Sequence, residues 1–375
     1  MKSVAGFFVM GALAGIFVLH ASNRRQTDVR FNSNPEVMVS SVPQRIFATE
    51  STGAQLAIRT KVLEELEIQP IGSLVRDFKF DSNENVYFIS TDANASNPRE
   101  SVSRIIRVDR VTRSQRVLWV EQPDQMVLQS YDVDESGGIF VASSRRNSPL
   151  KYISSLSPEG NLISTIDLVN FRPYAIAVDR AGNIWLAGDA PDQSSTNNRG
   201  EIRIYDHGGT LIATPLGGFT SEAVDRGHFV ENRGNMLFMV EGETGIVYNF
   251  EGTRVRDAWS YPRQEANTPS SQREKRFSGL TICNGYAIWS GTTPPSDSQY
   301  SFVMLASPTG NVAMPENTLT TKSGQRVTLV GADRRDHLYF LGIDGHKPIL
   351  KKSKLVVKKA NAKLRGAELV LVNDM

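Results

Sequence analysis

Short apolar runs alternate with polar turns along most of this chain, and one arrangement of them recurs at intervals of 45 to 53 residues. In its clearest copy the apolar run Ala175–Val178 is followed by Asp179, by a turn ending in Gly182-Asn183, and by a second apolar run. We take the residue in the position of Asp179 as the marker of each repeat. The six markers are Asp81, Asp134, Asp179, Glu231, Cys283 and Asp333. Apolar runs of this length bounded by turn residues predict pairs of antiparallel strands, called A and B here.

A second polar turn follows each of the first five markers and predicts a further strand pair, C and D. These turns are Asp109–Thr112, Ser157–Asn161, Asp206–Thr210, Glu251–Thr253 and Ser307–Asn311. In the A–B turn, a glycine such as Gly182 permits a positive φ, and the marker aspartate can accept hydrogen bonds from turn amides. Six all-strand repeats of about this period predict a six-bladed β-propeller of four-stranded antiparallel blades, with strand A nearest the axis.

The repeat sets the domain limits within the 375 residues. Residues 71–360 are predicted to form the propeller, residues 22–70 an N-terminal extension, and residues 361–375 a C-terminal tail. We expect a strand from Gln44–Thr60 to close the ring by pairing with the last blade beside Lys347–Leu355. Without it, that blade would expose a sheet edge. The lysine-rich stretch Lys347–Lys363 reads as an outer strand whose charges protect the edge, with contact to a membrane or polyanion as the alternative.

Residues 1–21 have the form of a leader. Lys2 precedes an uncharged, largely apolar run from Ser3 to Leu19, which ends at His20-Ala21. This pattern is typical of a cleaved secretory signal peptide. The alternative is an uncleaved membrane anchor, for which the apolar run is at the short limit of length. Both interpretations predict an exported protein, periplasmic or extracellular, and the second adds a tether through residues 3–19.

Charge and cysteine content narrow the class of function. The net charge is +2, which argues against a polyanion-binding surface over the whole molecule, so no nucleic-acid partner is expected. Cys283 is the single cysteine, so the fold depends on burial and strand pairing rather than on an intramolecular disulfide. Because Cys283 lies in the apolar run Leu280–Cys283, we expect a buried and unreactive thiol.

The segment Val178–Trp185 resembles the repeat of NHL-type six-bladed propellers and, more loosely, the TolB-like and gluconolactonase-like groups. The resemblance covers about 280 residues. It rests on a structural turn motif, so it implies the fold and no particular activity.

In a propeller the A–B and C–D turns share one face, called the turn face here, and the other connections share the long-loop face. The longer polar connections all belong to the long-loop face: Thr91–Ser101, Gly188–Gly200, Tyr261–Phe277 and Gly291–Tyr300. Five arginines precede strand A at five or seven residues before a marker, and they are Arg76, Arg172, Arg226, Arg276 and Arg326. They predict a positive mouth that binds a partner loop or an anionic ligand through forked guanidinium groups.

The alternatives are local or catalytic. Each arginine could instead pair with a neighbouring acid, as Arg76 with Asp77 or Arg226 with Asp225. A divalent metal on the axis, as in gluconolactonase-like enzymes, would have only Asp77, Asp225 and His228 as candidate ligands, and their spacing matches no known metal motif. The sequence therefore favours an exported, non-catalytic binding module without a cofactor. The alternative is a lactonase-like hydrolase or lyase that uses an axial pocket.

Overall fold

The computed structural model describes residues 44–46, 56–92, 101–122, 126–145, 150–190, 199–220, 227–232, 235–240, 245–261, 276–283, 286–293, 300–307, 310–314, 327–345 and 347–359. All the elements of these ranges are β-strands. The predicted leader and C-terminal tail lie outside the described residues. Among the residues that are described, no helix is long and apolar enough to cross a membrane.

The strands form five sheets of four strands and one of five, numbered here along the chain. Sheet 1 contains β3 (Leu74–Phe80), β4 (Val86–Asp92), β5 (Val102–Val108) and β6 (Gln115–Val120); sheet 2 contains β7 (Met126–Val133), β8 (Ile139–Arg145), β9 (Lys151–Leu156) and β10 (Leu162–Asp167); sheet 3 contains β11 (Arg172–Val178), β12 (Ile184–Ala190), β13 (Arg199–Tyr205) and β14 (Leu211–Thr220).

Sheet 4 contains β15 (His228–Asn232), β16 (Asn235–Val240), β17 (Gly245–Glu251), β18 (Arg254–Tyr261) and, at its outer edge, β1 (Gln44–Ile46); sheet 5 contains β19 (Arg276–Cys283), β20 (Tyr286–Thr293), β21 (Tyr300–Ser307) and β22 (Gly310–Met314); sheet 6 contains β23 (Thr328–Ala332), β24 (His337–Asp344), β25 (Lys347–Lys359) and β2 (Leu56–Glu67).

The sheets are arranged as the blades of a β-propeller. Within each sheet the consecutive strands pair antiparallel, as the sequence pattern predicts. The innermost strands contact one another in chain order, from β3 through β7, β11, β15, β19 and β23, and β23 contacts β3 again. Each sheet therefore has both faces covered by neighbours, which is how the alternating side chains of every strand become buried.

Aromatic side chains fill the seams between neighbouring sheets. Trp185 of sheet 3 lies 5.2 Å, centroid to centroid, from the ring of Phe250 in sheet 4. Across the seam between sheets 6 and 1, the ring of Phe80 stacks on that of Tyr339 at 4.0 Å. Such contacts add to the apolar area removed from water and hold adjacent sheets at a fixed distance.

The N-terminal extension supplies the outer strand of sheet 6, as expected, from a segment that overlaps the predicted one at Leu56–Thr60 and continues beyond it. The strand that pairs with β25 is β2, which begins at Leu56 and ends at Glu67. The earlier part of the expected segment, Gln44–Ile46, pairs in parallel with β18 of sheet 4 instead. The ring therefore joins a strand from near the N-terminus to three strands from the C-terminal part of the chain.

The interpretation of Lys347–Lys363 as an outer, edge-protecting strand is wrong for its described part. β25 is paired on both sides, with β24 and with β2, and so has no open edge. Lys351 and Lys352 are only 5% and 6% exposed. Their ammonium groups pair with Glu65 of β2, at 2.7 Å, and with Glu84 of sheet 1, at 2.6 Å. These lysines bind the closing strand and the neighbouring sheet.

Cys283 is buried, as expected. Its Sγ donates a hydrogen bond to the carbonyl oxygen of Asp336, 3.1 Å away. Burial, with a smaller contribution from the charges of Asp336 and Asp333, raises the pKa of the thiol to about 12. The group therefore stays protonated and unreactive at neutral pH.

Candidate functional site

The marker aspartates hold the A–B turns together. In three repeats one carboxylate accepts hydrogen bonds from the amides two and four residues later and from the side chains four and six residues later. The acceptors are Asp81 (from Asn83, Asn85 and Tyr87), Asp179 (from Ala181, Asn183 and Trp185) and Asp333 (from Arg335, His337 and Tyr339). The aromatic residue of the repeat thus has a polar role as well as an apolar one, and the motif is structural.

Glu84 occupies an unusual position in the first of these turns. Its φ is +62°, at the position where Gly137 and Gly182 have φ values of +88° and +82° in the turns of sheets 2 and 3. The left-handed conformation costs a non-glycine residue on the order of 1 kcal/mol. Glu84 is nevertheless 3% exposed, so its side chain must be well compensated.

Three cations surround the Glu84 carboxylate at the seam between sheets 6 and 1. Lys352 Nζ lies 2.6 Å and Arg335 Nη1 3.2 Å from its oxygens, and Arg110 pairs with it as well. Burial by itself would raise the pKa of Glu84, but the hydrogen bond and charge of Lys352, with the charges of both arginines, outweigh it and lower the pKa. We call Glu84, Arg110, Arg335 and Lys352 the seam cluster.

One group of candidate metal ligands occurs within the described ranges. Ligand atoms of Glu84, Asp333 and His337 all lie within 4.8 Å of one another. The Asp333 oxygens, however, accept hydrogen bonds from two turn amides and from the Tyr339 hydroxyl, and Oδ2 also lies 2.9 Å from His337 Nδ1. Because three cations already face Glu84, a further positive ion would be repelled. The arrangement fits a structural network better than a metal centre.

A second group of charges meets at the axis on the turn face, and we call it the axial network. Arg334 of sheet 6 contacts Glu135 of sheet 2 at 2.5 Å and Glu231 of sheet 4 at 3.3 Å. Arg180 of sheet 3 contacts the same two carboxylates at 3.2 and 3.0 Å. Two arginines and two glutamates from four sheets therefore join across the axis, with equal numbers of opposite charges.

The structure describes three of the five arginines that were predicted to form a positive mouth. Arg226 and Arg326 lie outside the described residues, and Arg276 begins β19. Arg76 pairs with Asp77, which is the local pairing that we considered as the alternative. Arg172 is exposed, and its guanidinium lies 5.1 Å from the centre of the Tyr174 ring. The central parts of the long connections, residues 93–100, 191–198, 262–275 and 294–299, also lie outside the described residues.

The predicted metal ligands are not shown to come together. Asp225 lies outside the described residues. Asp77 lies in β3 with a φ of +53°, and His228 begins β15 of sheet 4. The Asp77 carboxylate is occupied by Arg76, and its carbonyl oxygen accepts a 2.6 Å hydrogen bond from the Tyr131 hydroxyl.

A β-bulge marks the innermost strand near the long-loop face. The register between the first and second strands shifts in sheets 1, 2, 3, 5 and 6, three to five residues before the marker. In sheets 2 and 3 the extra residues are Gln129 and Tyr174. Bulges re-aim side chains and are frequent next to binding sites.

In sheets 2 and 3 the bulge falls five residues before the marker, a position that was singled out from the sequence only at Arg76 and Arg226. The residue five places before the marker can form hydrogen bonds in all six repeats: Arg76, Gln129, Tyr174, Arg226, Ser278 and Thr328. In sheets 2 and 3 it binds a side chain of the second strand. Gln129 Nε2 donates to Ser144 Oγ at 3.0 Å, and the Tyr174 hydroxyl donates to Asp189 Oδ2 at 2.5 Å.

Arg172, Tyr174 and Asp189 together form the candidate site, called the sheet 3 mouth here. Arg172 and Asp189 are direct partners in the ladder between β11 and β12. Asp189 is 3% exposed. Lys151 of sheet 2 lies near Arg172: burial first, and then the charge of Arg172, lower the pKa of Lys151. The mouth therefore combines an exposed cation with a buried carboxylate and an aromatic hydroxyl.

Comparison with known proteins adds little to this picture. No protein-family model matches the chain, and no curated protein matches it. Among solved structures, the chain is similar to Pyrococcus horikoshii acylaminoacyl peptidase, with 10% identity, a TM-score of 0.44, and coverage of 71% of this chain and 48% of that one. It is also similar to the β-propeller domain of the Trilobed protease from Pyrococcus furiosus, with 12% identity, a TM-score of 0.43, and coverage of 76% and 80%. The chain thus spans about half the length of the acylaminoacyl peptidase.

Proposed function

We propose that this chain is a six-bladed, NHL-type propeller that is exported and acts as a binding module, taking a partner protein or an anionic ligand on its long-loop face. The observation that carries the proposal is the difference between the two ends of the axis. On the turn face, the axial network balances two arginines against two glutamates. At the sheet 3 mouth, Arg172 is exposed beside a buried carboxylate and an aromatic ring, a combination typical of recognition surfaces.

Binding is favoured over hydrolysis or elimination by the chemistry of the described titratable groups. A hydrolase or lyase needs a nucleophile or general base that is free to exchange a proton with its substrate. On the turn face, Glu84 and Asp333 are committed to cations and turn amides, and the Cys283 thiol is held protonated. These groups stabilise the fold instead.

The proposal is tested by capture of partners from an envelope extract of the source cells. The full chain is immobilised, and bound proteins are quantified by mass spectrometry for the parent and for the triple variant R172A/R276A/R326A. We expect recovery of the partner to fall about tenfold or more in the variant, and more strongly at low salt, because rim arginines steer association. Thermal unfolding should change by about 2 °C or less, because exposed charges contribute little to stability.

The matched control carries the same number of charge removals on exposed positions of outer strands, K61A/R116A/R254A. It should retain the recovery of the parent. Equal recovery by the triple variant and the control would reject the long-loop face as the binding surface.

A further inference from the structure

Asp189 has an oxygen that the fold does not use. Its Oδ2 accepts the hydrogen bond from Tyr174, at 2.5 Å. Its Oδ1 is buried and has no hydrogen-bond donor in the described part of the chain. A buried acceptor left without a donor costs about 1–3 kcal/mol, and more when it carries charge. An unsatisfied buried acceptor in a native fold calls for an explanation, and a donor supplied by a bound partner is one such explanation.

The neighbouring cation does not fill this role. Arg172 lies opposite Asp189 in the strand ladder, yet its guanidinium lies over the face of the Tyr174 ring. The β-bulge at Tyr174 shifts the register of β11 relative to β12 at this point, between Pro173 and Ala175. The phenol thus bonds the carboxylate through its hydroxyl and the guanidinium through its ring, and neither group donates to the buried Oδ1.

We infer that the sheet 3 mouth binds a primary ammonium group, such as a lysine side chain or the amino terminus of a partner protein. A guanidinium binds a carboxylate best through both oxygens, and Oδ2 is already engaged with Tyr174. An ammonium is a compact donor that needs only one oxygen. The exposed Arg172 can at the same time donate hydrogen bonds to a carboxylate or carbonyl of the same partner. The inference rests on the proposed function only in taking the long-loop face as the binding face.

The first test is a titration of the isotope-labelled full chain with n-butylammonium chloride, followed by amide chemical shifts, with sodium chloride at equal concentration as the reference. We expect saturable shifts, with half-saturation in the millimolar range, at residues 172–174 and 188–190. D189N, which keeps an acceptor for Tyr174 but removes the charge, should bind about tenfold more weakly or worse. The matched control D206N, in a turn on the opposite face, should bind like the parent.

The second test separates a binding role from a structural one. Since D189N removes a buried, incompletely paired charge, we expect its melting temperature to rise by about 2 °C. The inference would be overturned if D189N melts at a lower temperature than the parent while D189N/R172Q melts at the same temperature as R172Q. That result would show that Arg172 is the internal partner of Asp189. Titration shifts that are absent, or identical in D189N, would also overturn it.

The titration and the capture experiment can succeed or fail separately. The titration uses butylammonium alone and needs no partner protein. Saturable binding that requires Asp189, together with a failed capture experiment, would support the ammonium site and reject the partner-binding proposal. The reverse pair of results would reject the ammonium site and leave the long-loop face as the binding surface.

Discussion

At the scale of single residues, one short motif serves both turn and core. The marker carboxylate bonds the backbone of its turn and the polar edge of an aromatic ring that packs between sheets, as Asp179 does with Trp185. The local part of this role is visible in the sequence, because Asp, Gly and Asn at fixed offsets specify a turn. The link to the aromatic ring becomes evident only when the second strand is in place.

Glu84 could not be interpreted from its sequence context. A glycine is expected three residues after the marker, and the sequence Asp81-Ser82-Asn83-Glu84 reads as an ordinary polar turn. Its partner Lys352 is 268 residues away. A buried ion pair between residues so distant leaves no local signal.

The seam cluster gives stability a defined pH dependence. Because its cations lower the pKa of Glu84, the folded chain binds fewer protons than the unfolded chain just below the ordinary glutamate pKa. The stabilisation is therefore complete above that pKa and is lost as the pH falls through the lowered value. We expect E84Q to lower the free energy of unfolding by about 3 kcal/mol at pH 7, and by much less at pH 3.

Glu231 provides a control of opposite sign, measured by the same denaturant titrations. Burial raises its pKa despite the charges of Arg334 and Arg180. Its ionisation therefore costs stability as the pH rises through the raised pKa. The parent should gain stability relative to E231Q as the pH falls from 7 toward 4.5. If the free energies of unfolding of the parent and E84Q differ by the same amount at every pH, the lowered pKa of Glu84 is contradicted.

At the scale of elements, the closing strand is specified by charge. β2 places Glu64 and Glu65 opposite Lys352 and Lys351 of β25, and Glu67 pairs with Lys347 at 3.0 Å. Opposite charges across an antiparallel pair favour one register over its neighbours. The sequence shows a lysine-rich strand and a glutamate-rich strand separately. Because no short turn joins these two strands, the sequence does not show that they pair. The lysines of a central strand therefore look like the lysines that protect an edge strand.

A charge-exchange experiment tests this register. K351E places a second carboxylate beside Glu65 at a position that is 5% exposed, so we expect a loss of about 3–5 kcal/mol in the free energy of unfolding. The double variant E65K/K351E restores opposite charges and should recover at least half of that loss, as measured by denaturant unfolding. The corresponding exchange at the exposed pair Glu67–Lys347 should cost about 1 kcal/mol or less. Equal losses in K351E and E65K/K351E would show that the lysine is held by packing alone.

At the scale of the whole molecule, closure depends on one strand. A repeat of similar units predicts a ring from local turn signals. It does not show which strands close the ring, because closure depends on contacts between β2 and β25, and these strands are almost 300 residues apart in the chain. β1 is a different case, since it adds three residues to the outside of sheet 4 without joining two ends of the ring.

Two truncations distinguish these roles. A chain beginning at residue 56 lacks β1 and keeps β2, and we expect a monomer whose melting temperature lies within about 4 °C of the full chain. A chain beginning at residue 68 lacks β2 and leaves β25 with an unpaired edge and Lys351 without Glu65. It should aggregate or unfold at least 15 °C earlier by scanning calorimetry, since it loses a ladder of hydrogen bonds and a buried charge partner together, roughly 5 kcal/mol or more. A stable monomer from residue 68 onward would show that the ring holds without its closing strand, and the charge pattern of β2 would then need another explanation.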